Sequence, residues 1–123
     1  MRIVSETTSL SVNDFMSDIR NIYSLRMAII EFVEAAASVG LELLRRRLKV
    51  YDIDGYPQIF RKLVEQGLLS ENVGSAMVSL AKLRNLIVHR YWEVDDLRIY
   101  HEARKNGLEK ARRFIEEVRN LYP

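Results

Sequence analysis

Arg84, Asn85, His89 and Tyr91 fall within one stretch, Arg84-Asn85-Leu86-Ile87-Val88-His89-Arg90-Tyr91, about two helical turns long. A guanidinium, an imidazole and a phenol this close can hold a phosphate, move a proton, and stack on or bond to a nucleotide. The order is Arg-Asn, three apolar residues, His, any residue, Tyr. The chain has only two histidines, so one inside such a pattern stands out.

These residues sit near the end of a predicted helix that opens at Ser70, with Glu71 just inside, and runs to about Tyr91. At roughly 100° per residue, Val73, Ala76, Met77, Leu80, Leu83, Ile87 and Val88 form one apolar arc. Arg84 falls inside that arc beside Tyr91, which breaks the binary pattern. A buried guanidinium without a counter-charge is costly, so Arg84 must either meet a carboxylate or line a cleft. Glu31 and Glu34 are the candidate carboxylates. Asn85 and His89 lie four residues apart and share a face, about 100–140° away from Arg84. One site using both faces calls for arginine's long reach, a distorted helix end, or a two-fold partner that brings a second copy of the motif close, and the partner is the favoured reading.

The rest of the chain reads as helix, giving an all-α antiparallel bundle of four to five helices that dimerises. Only Pro57 and Pro123 interrupt it. Ser11 or Asn13 caps a helix carrying Phe15, Ile19 and Ile22. A longer helix spans about Ser24 to Leu48, apolar over most of its circumference, as suits the middle of a bundle or a subunit interface. Tyr51 to Pro57 is a break with Asp54-Gly55 as its turn signal. A short helix covers Pro57 to Gln66 and stops at Gly67. The last helix begins at Asp95 or Asp96, with Tyr100, Ala103, Leu108, Ala111, Phe114, Ile115, Val118 and Leu121 as its buried stripe. Residues 1–12 read as a polar tail and 13–123 as a single domain.

Composition narrows the function classes. At 123 residues and 48% hydrophobic content, the chain has material for one core. A net charge of +2 excludes a wholesale polycation, so contact with nucleic acid needs a local patch. Without cysteine there is no disulfide or thiolate chemistry. Glu31, Glu34 and Glu42 interrupt the richest apolar run, which excludes a bilayer span. No secretory leader is evident, so the expected setting is cytoplasmic. Asp52 and Asp54 before Gly55 lack the later ligands of a calcium loop, and no metal or cofactor site is expected.

The segment Arg84 to Trp92 resembles the signature of HEPN-domain proteins, in particular the HepT-like toxin branch. The resemblance runs from about Asn13 to the end and takes in Val33-Glu34-Ala35, Gly67-Leu68-Leu69-Ser70 and Val94-Asp95. It departs from that pattern at Ser38, where relatives often carry an acidic residue, and at Leu83, where an aromatic is common. Relatives also carry a further helix before the segment that starts here near Asn13. The resemblance implies a dimerising bundle that is a metal-independent ribonuclease, with Arg84 and His89 catalytic and Asn85 supporting. It also implies a cognate nucleotidyltransferase antitoxin that attaches AMP to Tyr91.

RNA carries its own nucleophile, the 2′-hydroxyl. A protein need only take that proton, return one to the leaving oxygen and stabilise the phosphorane, so an imidazole and a bidentate guanidinium suffice. The alternative is a non-catalytic dimerisation or nucleotide-binding partner of a nucleotidyltransferase, with Arg84 and Tyr91 in a protein interface. A plain structural bundle, with Arg84 paired to Glu34 and Tyr91 a core tyrosine, is the third reading. His101 reads as a surface residue. The run Arg45-Arg46-Arg47-Leu48-Lys49 reads as a solvated helix end suited to the dipole, with guiding RNA as the alternative role, and Arg112 and Arg113 as an exposed face.

Overall fold

The computed structural model describes residues 2–122, and among them every regular element is helical. Ser11 accepts the Asp14 amide and opens α2, Val12–Ser17. Asp18, in extended conformation, ends α2 and accepts the Arg20 amide to start α3, Ile19–Glu42. This break leaves Phe15 buried and turns Ile19 out to solvent, so the apolar spacing that suggested one helix is shared between two. A wide turn over Leu43–Arg47 continues α3. Along it Ile29, Val33, Ala36, Ala37, Leu43 and Leu44 are buried.

The polar tail expected over residues 1–12 is replaced by a helix, α1, Arg2–Ser9, which packs on α3. Its polarity misleads because Thr7 and Thr8 are buried with their hydroxyls donating to the Ile3 and Val4 carbonyls of their own helix. A threonine satisfied in this way can enter a core. Met1 lies outside the described residues.

Asp54-Gly55 starts α4, Gly55–Glu65, with Gly55 at φ +80°. At its far end Gly67 (φ +75°) lets the Leu68 amide reach the Leu63 carbonyl and its own amide reach that of Val64, which closes the helix. Ser70 then caps α5, Glu71–His89, by accepting the Val73 amide. Its own amide and hydroxyl donate to Glu117, tying the start of α5 to the last helix. That last unit is α6, Asp96–Glu102, a wide turn at Ala103–Gly107, and α7, Leu108–Arg119. Its stripe is buried at Tyr100, Ala111, Phe114 and Val118, and half-buried at Ala103, Leu108, Ile115 and Leu121. Tyr100 stacks on Phe15 at 4.7 Å and donates to the Leu10 carbonyl, fixing the 10–15 segment to α6.

α4 and α5 approach closely because position 74 has no side chain. A Cβ there would lie 2.0 Å from Val64 Cγ2, and a branched valine has no cheap rotamer to escape into. Gly74→Ala is therefore expected to destabilise the fold by about 1–3 kcal/mol, despite alanine's better helix propensity. Urea unfolding of the variant measures this.

Candidate active site

α5 delivers the motif, and its C-terminal half decides which way each side chain points. Arg84 is turned inward toward α3 and α4, its side chain 14% exposed. One terminal nitrogen donates to Glu34 Oε2 at 3.1 Å, and the other to Asn85 Oδ1 at 3.1 Å. The guanidinium also lies 4.6 Å from the centre of the Tyr56 ring, a cation–π contact within the favourable range. Its Nε is buried with no hydrogen-bond partner among the described residues. Of the two candidate carboxylates, Glu34 is the one that meets Arg84, while Glu31 is exposed.

Asn85 therefore orients Arg84 through its amide oxygen, which is committed to the guanidinium and not to His89. His89 occupies the last turn of α5 and is open to solvent. Val88, on the edge of the apolar arc, is exposed as well. Within one chain, Arg84 and His89 thus face different surroundings, one packed and one wet.

Beyond His89 the chain turns through a short helix, Tyr91–Glu93. Tyr91 is 62% exposed and is not part of the core. Its turn is held by a residue that spacing did not single out, Arg26 of α3. Arg26 makes two hydrogen bonds of 2.7 Å to the Asp96 carboxylate, and its third nitrogen donates to the Tyr91 carbonyl at 3.3 Å. The hydrogen bonds it donates to the Asp96 carboxylate raise the Arg26 pKa above the ordinary arginine value, against the opposing effect of burial. Asp96 is available for this pairing because Asp95 does the capping, accepting the Arg98 amide.

A family model described as ribonuclease HepT-like matches residues 1–118. The chain belongs to that family. The HepT-like match bears out the resemblance carried by the motif, and it extends over α1 as well as over the segment from Asn13 onward. Comparison with curated proteins and with solved structures returns no match.

The other residues weighed from the sequence are placed around this HepT-like bundle. Arg45, Arg46 and Arg47 are exposed, with Arg46 near Glu42 and Arg47 donating to the Leu121 carbonyl. Arg112 is exposed and Arg113 half-buried; His101 is exposed beside the Tyr100 ring. Among the described residues no group of three or more acidic or histidine side chains is placed to hold a metal ion, and no helix is long and apolar enough to cross a membrane.

Proposed function

We propose that this chain is a metal-independent ribonuclease toxin that cleaves RNA at a dimer groove through Arg84 and His89. Membership of the HepT-like ribonuclease family is the observation that carries this reading. The exposed imidazole at the end of α5 and the oriented guanidinium one turn earlier agree with it. The RNA 2′-oxygen attacks the adjacent phosphorus as its proton passes to His89. The bond from phosphorus to the 5′-oxygen breaks, and that oxygen takes a proton from the His89 imidazolium of a second copy. The products are a 2′,3′-cyclic phosphate and a 5′-hydroxyl. Arg84 holds the non-bridging oxygens as charge builds on them, and Asn85 keeps its fork aligned.

A homodimer supplies what a single chain separates, because Arg84 and His89 face different ways within it. Ile19, Tyr23 and Met27 repeat every fourth residue along the outer face of α3, each more than half exposed, and offer an apolar surface for the second copy. Tyr91 is exposed enough for a nucleotidyltransferase antitoxin to attach AMP to its hydroxyl. Both proteins would act in the cytoplasm.

A second reading is supported by the Arg84–Glu34 pair. If that pair is purely structural, the chain is a non-catalytic dimerisation or nucleotide-binding partner of the transferase. Arg84→Lys separates the two, since lysine keeps the charge and loses the planar fork. The expected result is a fall in kcat on RNA of about 10²-fold, with the melting temperature nearly kept. A variant that melts early yet cleaves at the wild-type rate per folded molecule would favour the structural pair.

A further inference from the structure

Trp92 is the only tryptophan of the chain and 68% exposed. It adjoins Tyr91, itself largely exposed, with ring centroids 5.2 Å apart and planes at 84°. Two large rings left in water on a loose tail would mean little. This turn is not loose, because Arg26 grips the Tyr91 carbonyl while locked onto Asp96. The rings are thus presented by a braced turn that follows His89 and Arg90 directly. Imidazole, guanidinium, phenol and indole occupy four consecutive residues at one end of α5.

That set matches the two parts of a nucleotide. Among the described residues Arg90 pairs with Glu93, at 3.6 Å between well-exposed side chains, a screened pair that a phosphate can displace. The indole offers an open aromatic surface of the kind on which unpaired bases stack. The surroundings argue against a protein–protein core here, since such cores are depleted in charge, whereas these rings lie between exposed Arg90 and Glu93. The exposed apolar row of Ile19, Tyr23 and Met27 on α3 is the better seat for a second copy.

We propose that Trp92, with Tyr91 against it, is the platform on which an unpaired base next to the scissile phosphodiester stacks. Trp92 thereby positions the strand at His89 and restricts the substrate to single-stranded RNA. The proposal rests on the ribonuclease reading for its substrate. The base faces of an A-form duplex are buried in its stack, so paired RNA cannot use the platform.

Because Trp92 is the sole tryptophan, its emission reports the platform directly. The probe is a mixed-sequence 2′-O-methyl RNA strand of about ten nucleotides, which lacks a nucleophile and is not cut. At fixed protein concentration the single strand quenches Trp92, and the same strand annealed to its complement does not. By anisotropy of a labelled strand, Trp92→Ala binds roughly tenfold more weakly or worse, while Trp92→Phe keeps most of the affinity. Unchanged binding by Trp92→Ala, or equal quenching by the duplex, overturns the proposal. So does emission that follows protein concentration and ignores RNA, which would place the indole against a second copy. Cleavage of unmodified RNA is scored separately. A quenched but uncut strand leaves the platform standing and removes the ribonuclease, whereas cut RNA with unquenched Trp92 does the reverse.

Discussion

Replacing His89 by alanine is expected to lower the rate of RNA cleavage by about 10²–10⁴-fold, the loss that follows removal of a positioned acid or base. The fold survives, because His89 is exposed on the last turn of α5 and surface substitutions stay within about 0.5 kcal/mol. Single-turnover cleavage of a labelled RNA, with a melting curve for each protein, separates the two effects. Wild-type cleavage by His89→Ala, in protein free of host nuclease, would sink the catalytic assignment. A shared loss of cleavage and folding would mean instead that His89 is structural.

The second large effect is on stability and comes from the Arg26–Asp96 pair. Their side chains are only 14% and 18% exposed, so the pair is screened far less than a surface bridge. Asp96→Ala strands the Arg26 guanidinium, and breaking this partly buried pair from one side costs up to about 3 kcal/mol. Arg20→Ala, which removes the fully exposed partner of Asp18, is the near-neutral control. Titration is no substitute for the variant. A cation with a raised pKa contributes fully below its unfolded-state value and loses that contribution only as pH climbs through the folded value, here above the ordinary arginine range. Urea unfolding at neutral pH is the measurement, and equal midpoints for Asp96→Ala and Arg20→Ala would contradict the bracing role. Because the same arginine holds the Tyr91 carbonyl, Asp96→Ala should also make the 90–96 segment more sensitive to protease.

Local rules carried much of this fold into the sequence. Ser70 before an apolar-periodic run, Gly67 after one, and Asp54-Gly55 between two mark boundaries that the structure places within about two residues, the usual scatter for helix ends. Arg84 inside an apolar arc announced a buried cation in need of a partner, and Glu34 was one of two carboxylates named for it. What stayed hidden depends on distance along the chain or on self-satisfaction. Arg26 and Asp96 are 70 residues apart, and each looks ordinary beside its neighbours. Tyr56 reads as part of a break until α4 brings its ring over Arg84. α1 looks like a tail because its threonines satisfy their hydroxyls within the helix, which no hydrophobic periodicity reveals. Ile19 fits a helical spacing that the cap at Asp18 interrupts.

The site was legible as residue types and not as an arrangement. Spacing on a helix gives the angle between Arg84 and His89. It does not say that Asn85 serves the arginine, nor that the turn carrying Tyr91 and Trp92 is braced from α3. Both follow from tertiary contacts.

The most direct test of the central claim is cleavage of random-sequence RNA by the purified protein in EDTA, beside the same pool made with 2′-O-methyl ribose. If the RNA supplies its own nucleophile to Arg84 and His89, the unmodified pool is cut to fragments ending in 2′,3′-cyclic phosphate and the methylated pool stays whole. An uncut RNA pool, cleavage that requires a divalent metal, or fragments ending in a 3′-hydroxyl would contradict the account.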